Sequence, residues 1–410
     1  MKLSTAIMIP VADAIQIVKD TTPALGSERV ELAKALGRYL AEDIIADTDL
    51  PPFDRSQMDG YAVRAADTAT APAKLKIVGE SAAGRGWHNE LQPGEAVRIM
   101  TGAPVPVDAD SVQQVELTRE LDGESEVEIL EPVTLGRSIV RRGSEITTGE
   151  TVLRAGQRIN AGAIAVLASF SYAQVNVGKR PRVAILATGS ELVPVDQTPG
   201  KDQIRDSNNF SIAAYAELAG ASIERLPLAG DDIAQLKQQI ASAAKRSDII
   251  VTSGGVSVGR YDFTKTVLKE LGAEIFFERV ALRPGKPTVF ARLPNGTLVF
   301  GLPGNPVSVS VTFNLFARVG ILAMQGATET ELETGTAMLS KSVKPAKDRE
   351  SYLPARLSTN DNAQLIAEPL KWGGSSDFVG FVSATALIIV PQAIEILEAG
   401  TKVRVVYLPV

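Results

Sequence analysis

Between residues 180 and 325, short apolar runs rich in β-branched residues alternate with amphipathic stretches, a pattern that few folds accept. The runs lie at 182–187, 223–228 and 248–252, and helix-like spacing follows each at 209–218, 232–244 and 261–271. A strand that is apolar on both faces must be covered on both, so the pattern predicts a parallel sheet with helices on each side. Sheets of this kind hold ligands beyond the carboxyl ends of their strands, which makes the turns after each run the segments most able to carry chemistry.

The chain has 410 residues, against roughly 150 for an ordinary domain, so two to four domains are expected. Helix-like apolar spacing occurs at 11–18 and again at 30–40. From 47 to 138 the pattern becomes short strands with turn punctuation, at 75–78, 96–100, 111–116 and 126–130. A small-residue helix is expected at 161–169, and strand signals return at 337–343, 365–369, 386–390 and 402–407. The boundaries that follow are a discontinuous first domain (1–46 and 139–179), an inserted β domain (47–138), the α/β domain (180–325) and a C-terminal β domain (326–410).

Composition removes several chemistries. The chain contains no cysteine and a single histidine, His88, which has no motif around it. Disulfides, thiolate nucleophiles, iron–sulfur sites and multi-histidine metal sites are therefore excluded, and acid–base work falls to carboxylates, Lys, Tyr or metal-bound water. Lys plus Arg total 42 against 48 for Asp plus Glu, a net charge of −6, so no bulk positive field exists to hold nucleic acid. The first twenty residues fit neither a signal nor a transit peptide, and no apolar stretch approaches about 18 residues, so the expectation is a cytoplasmic chain that spans no membrane.

Four turns of the α/β segment stand out. After the first run comes Thr188-Gly189-Ser190-Glu191, and after the third comes Ser253-Gly254-Gly255-Val256-Ser257-Val258-Gly259-Arg260-Tyr261-Asp262. The glycines let a ligand approach the backbone closely, yet neither turn has Walker A or GxGxxG spacing. Further on stand Arg283-Pro284-Gly285-Lys286-Pro287 and Leu302-Pro303-Gly304-Asn305-Pro306-Val307-Ser308. Prolines stiffen both, while Arg283, Lys286, Asn305, Ser308 and a helix N-terminus are suited to a tetrahedral oxyanion. Any of these turns taken singly reads equally well as a stiff loop with a helix cap. In the β segment, 51–63 is dense in polar side chains around Asp59-Gly60, which alone would be a hairpin turn, while Thr101 and Arg141-Arg142-Gly143-Ser144-Glu145 add a hydroxyl, cations and a carboxylate.

Six of these segments, PPFDRSQMDGYAV, IMTGAP, TGSEL, TSGGVSVGRYD, RPGKP and LPGNPVS, occur in an order that resembles the molybdopterin molybdenumtransferase family, which includes the E domain of gephyrin. The resemblance runs from about residue 10 to residue 405. It implies a multidomain α/β plus β fold: a central parallel-sheet α/β domain, an elongated discontinuous N-terminal domain with an inserted β domain, and a C-terminal β barrel. It also implies insertion of molybdate into adenylylated molybdopterin with release of AMP, a magnesium requirement, and a homodimer in contact at times with a molybdopterin adenylyltransferase. Family positions fall on Asp59, Thr101, Glu191, Asp231 and Asp262 as catalytic residues, with Glu191, Asp231 and Asp262 as magnesium ligands. Substrate-binding positions fall on Gly254, Gly255, Ser257, Arg283, Lys286, Pro303, Asn305, Ser308, Arg356 and Ser375.

Three departures from the family pattern stand in this chain. Ser190 replaces an acidic residue beside Glu191, Ser144-Glu145 replaces a Glu-Asp pair, and Arg279 and Arg283 occupy positions where lysine is usual. Arg keeps the charge but not the point-like geometry of Lys, so a tungstate-inserting paralogue is one alternative and a non-catalytic dimeric scaffold is another.

Overall fold

The computed structural model describes residues 8–121, 123, 125–230, 232–256, 263–371 and 373–409. The expected site residues Asp231, Ser257 and Asp262 lie outside them. The chain divides into two compact units, Met1–Glu42 with Ala155–Ala161 and Gln174–Val410, and Asp43–Arg154 with Gly162–Ala173.

The first unit is built on a six-stranded sheet in the order Ser222–Arg225, Arg182–Ala187, Ile249–Ser253, Leu298–Leu302, Val289–Arg292, Glu274–Phe277. The first four strands are mutually parallel, and the last two add an antiparallel edge that the alternating pattern does not announce. Side chains alternate across the pleat. Val183, Ile185, Val251 and Phe300 face one core together with the helices Asn208–Leu218 and Pro306–Met324. Ala184, Leu186, Ile250 and Val299 face another, with Ile233–Ala244 and Phe263–Glu270. Asp232 caps Ile233–Ala244 by accepting from the amides of Ala234 and Gln235.

Pro306–Met324 corrects the expectation that no apolar stretch approaches membrane-spanning length. It is 19 residues long with a mean hydropathy of 1.6, but 89% of it is buried in the fold, as suits a core helix. Its middle turn, Phe313–Ala317, is π-helical.

A second correction concerns 30–40, where helical spacing gives way to the strand Ser27–Glu31 and a short turn of 3-10 helix at Leu32–Lys34. The strand pairs antiparallel with Gln174–Gly178. Buried Arg38 ties the two by donating to Glu28 Oε1 (2.5 Å) and to the Gly178 carbonyl (2.7 Å). That partner lies far along the chain, so local spacing carries no sign of it.

The C-terminal part closes into a barrel. Glu350–Thr359, Leu365–Pro369, Thr334–Leu339, Lys402–Tyr407 and Ala386–Val390 pair in that order, and the last returns to the first. The ten-residue strand Glu350–Thr359 is the backbone of the barrel, although Pro354 at its centre argues against a strand in sequence. Its start also pairs in parallel with Leu282–Arg283.

The second unit holds a six-stranded sheet in the order Ser111–Gln114, Gly60–Val63, Glu95–Ile99, Ala73–Ser81, Glu126–Ile129, Thr118–Leu121. Ala73–Ser81 and Glu95–Ile99 run parallel and the other pairs antiparallel, and in the strand Gly60–Val63, Tyr61 and Val63 pack on one face and Ala62 on the other, so this strand is buried on both sides.

Candidate functional site

Strand register places the site. Ala187 lies opposite Ser253, and Ser253 opposite Leu302, so the turns that follow these three strands stand side by side at one end of the sheet. The chain runs from Arg182–Ala187 outward to Ser222–Arg225 and then back to Ile249–Ser253 on the other side, which makes this end a topological switch point where a crevice opens. Gly254, at φ +88°, allows the close approach of these turns, because a Cβ there would collide with the Thr188 carbonyl.

The crevice is a cleft of about 1050 Å³. Among the residues singled out in the sequence, Glu191, Gly254, Gly255, Pro303 and Asn305 line it. Glu191 folds back over Gly189, where a Cβ would sit 2.5 Å from the carboxylate. Ser190, the residue that departs from the family pattern, lines the cleft beside it.

A smaller cavity of about 370 Å³ adjoins the cleft and shares Pro287, Pro303 and Asn305 with it. Here the structure gathers Arg283, Lys286, Ser308 and Ser375. It adds Arg349, which the sequence reading missed, and no carboxylate lines this cavity among the described residues. Arg349 arrives through the pairing of Leu282–Arg283 with the start of Glu350–Thr359, so its signal is a strand contact rather than a motif. Arg356, by contrast, is not among the cavity's lining residues. It pairs with Glu368 at 2.7 Å on the barrel surface, and Lys341 approaches the same carboxylate.

The helix start is organised by side chains. Asn305 Nδ2 donates to Ser375 Oγ (2.7 Å), and the Val307 amide donates to the Ser375 carbonyl (3.0 Å). Pro306 has no amide to give and that of Val307 is used, so side-chain cations carry more of the cavity's attraction for anions than the LPGNP motif alone implies.

In the second unit, Asp59 and Thr101 sit at the ends of paired strands and touch. The Thr101 amide and hydroxyl both donate to Asp59 Oδ1, at 2.6 and 2.9 Å, and these bonds hold the Asp59 carboxyl below its usual range.

For magnesium the donor chemistry is partly visible. Among the described residues no group of three or more carboxylate or imidazole side chains gathers, and of the three expected ligands only Glu191 is described. Its carboxylate is a hard oxygen donor in the cleft, the type of ligand that magnesium takes.

Comparison with known proteins agrees with this architecture. Residues 9–171 match the MoeA N-terminal region (domain I and II), 184–322 a probable molybdopterin binding domain, and 336–408 the MoeA C-terminal region (domain IV). A molybdopterin molybdenumtransferase of Bacillus subtilis is 36% identical over 403 residues, 97% of this chain and 93% of that one. One from Staphylococcus aureus is 36% identical over 402 residues, 97% and 95% of the two chains. The crystal structure of a molybdopterin biosynthesis moeA protein from Pyrococcus horikoshii superposes with a TM-score of 0.78 at 27% identity, covering 98% of this chain and 100% of that one. With three consecutive family regions and relatives that align over nearly its whole length, the chain belongs to the molybdopterin molybdenumtransferase family.

Proposed function

We propose that this protein inserts molybdenum into the molybdenum cofactor, taking molybdate and adenylylated molybdopterin as substrates and releasing AMP. The observation that carries the reading is the two-lobed site: a large cleft at the switch point of the sheet, opening beside a cavity that holds Arg283, Lys286 and Arg349 with no carboxylate among its described lining. Three cations and the hydroxyls of Ser308 and Ser375 suit a tetrahedral dianion, since charge-assisted hydrogen bonds offset its desolvation. The larger lobe has the volume for the organic substrate, and Phe378, Leu192 and Val256 give it apolar walls.

Magnesium belongs to the proposal, with Glu191 as a ligand together with Asp231 and Asp262. When bound, it would polarise the phosphate linkage and offset its charge. The chain's own part is to keep a hard carboxylate in the cleft and to hold the oxyanion in the adjoining lobe, so that the two substrates meet in a fixed orientation. Thr101 fixes the direction of the Asp59 carboxylate through two hydrogen bonds, and Asp59 takes a positioning or charge-stabilising role in this proposal. The scaffold and tungstate readings are not favoured, because relatives aligned over nearly the whole chain carry the molybdenumtransferase name.

We further propose a homodimer that meets the adenylyltransferase transiently in the cytoplasm. Sedimentation would then give about twice the chain mass of 43.4 kDa. The decisive assay supplies adenylylated molybdopterin, magnesium and molybdate, then measures AMP release and molybdenum bound to the pterin. Both products are expected together and only with all three present. Magnesium-independent turnover would remove the metal from the proposal, and no turnover by the folded dimer would overturn the activity.

A further inference from the structure

Phe378 is the one aromatic side chain among the described residues that line the large cleft. It opens the short helix Phe378–Phe381, whose two phenylalanines have opposite surroundings. Phe381 is 9% exposed and sits in the main core, whereas Phe378 is 48% exposed. Ser376 and Phe378 line the cleft while Asp377 between them does not, so the chain turns these two toward the open space. Asp377 points back instead, its Oδ2 accepting from the Gly373 amide (2.8 Å) and its Oδ1 from the Gly380 amide (3.1 Å).

The ring is held on both sides. Before it, the Ser375 carbonyl accepts from the Val307 amide and Ser376 Oγ donates to Asn305 Oδ1 at 3.4 Å, which ties the segment to the LPGNP turn. After it, Phe381 anchors the helix in the core. An apolar ring fixed in this way with about half its surface in water forgoes much of the stabilisation that burial would bring, so the fold alone does not account for it. Apolar surface kept open on a cleft wall is where ligands bind. The face of a phenylalanine offers no hydrogen bond, and its match in a phosphate-bearing substrate is another flat ring.

Position decides which ring. Ser375, three residues earlier, lines the oxyanion lobe, so the backbone of Phe378 lies at most about 11 Å from it. In the proposed reaction molybdenum stays with the pterin while AMP leaves, which sets the pterin, rather than the adenine, beside that lobe. We infer that Phe378 stacks on the pterin ring of molybdopterin and fixes its position against the oxyanion lobe. The inference rests on the proposed function, which brings the pterin to this cleft.

Anaerobic calorimetric titrations of molybdopterin, AMP and molybdate into the parent and its variants test it. Phe378→Ala should weaken molybdopterin binding about tenfold or more, as loss of a stacking ring does, and leave the AMP and molybdate isotherms as in the parent. Phe378→Tyr should bind like the parent. Phe378→Leu keeps apolar area but has no ring face, and should fall short by about threefold or more. Val379→Ala, at a residue that is exposed but does not line the cleft, should change none of the three. Equal affinity of parent and Phe378→Ala for molybdopterin overturns the inference and leaves the functional reading standing. A leucine as good as phenylalanine overturns the stacking and marks a plain apolar wall. A loss for AMP in place of molybdopterin overturns it by setting the adenine on this ring. Altered sedimentation of Phe378→Ala and Val379→Ala with molybdopterin affinity intact also overturns it, assigning the apolar patch to a subunit contact. If the parent itself binds no molybdopterin, the functional reading fails and takes this inference with it.

Discussion

Asp59 and Thr101, 42 residues apart in the chain, are joined through a single carboxylate oxygen that accepts from both the amide and the hydroxyl of the threonine. The sheet makes this contact, because Gly60 pairs with Ile99, which carries Asp59, one residue before Gly60, and Thr101, two residues after Ile99, into reach of each other. Bonds to the ionised form favour it, so the Asp59 carboxyl titrates below its ordinary value of 3.8. Thr101→Val removes one of the two donors and keeps the amide. The Asp59 titration midpoint, followed by NMR, should then move up part of the way toward the ordinary value. An unmoved midpoint would show that the hydroxyl contributes nothing.

The anion lobe separates Arg349 from Arg356. Lys286→Ala and Arg349→Ala should each weaken molybdate binding about tenfold or more, since a hydrogen bond to a charged group contributes about 1.5–3 kcal/mol. Arg349 lines the lobe even though its Nε donates to Asp348 at 3.0 Å, whereas Arg356 lies outside the lining and pairs with Glu368, so Arg356→Ala should leave the isotherm nearly unchanged. The opposite ranking in calorimetric titrations would move the oxyanion out of this lobe.

The contrast between those two arginines shows what the sequence can and cannot disclose. The three strand-end turns are legible because their strands are apolar on both faces and the glycines and prolines that follow are local signals. Arg349 is not, because it reaches the site through the pairing of Leu282–Arg283 with Glu350–Thr359, a strand whose central Pro354 disguises it. Asn208 is a similar case: its side-chain nitrogen donates to Ser253 Oγ and to the Gly304 carbonyl, contacts that only the folded sheet brings to it. The helical reading of 30–40 fails where a distant antiparallel partner, Gln174–Gly178, overrides local spacing.

Gly285 precedes Lys286 in the anion lobe at φ +120°, a conformation that other residues avoid. A Cβ there would also collide with Thr312 Cγ2 and lie 3.0 Å from Leu282 Cδ2. Gly285→Ala should therefore destabilise the protein by about 1–3 kcal/mol through strain alone. Molybdate affinity should fall with it, because the strained loop carries Lys286. A variant that unfolds at the parental denaturant midpoint would show that the loop relaxes without cost.

Asp49 provides a prediction about acid stability that does not depend on the activity. The Thr148 amide and hydroxyl donate to Asp49 Oδ1 at 2.8 Å each, and Arg142 Nε donates to Oδ2 at 2.6 Å, with the Thr148 amide bond having the largest effect on its titration. Together they lower the carboxyl from 3.8 to about 2. The sign follows from linkage: a depressed folded pKa stabilises the folded state above the unfolded value, and this stability is lost as protons bind on the way down to the folded value. The parent should thus lose part of its stability between about pH 4 and pH 2 through this group. Asn at the same position cannot ionise, so the difference in unfolding free energy between the parent and Asp49→Asn should be full near neutral pH and shrink across that window. Denaturant titrations at several pH values measure it directly. A difference that stays constant from neutral pH down to pH 2 would mean that the shape of the Asp49 network, rather than its charge, holds this part of the second unit.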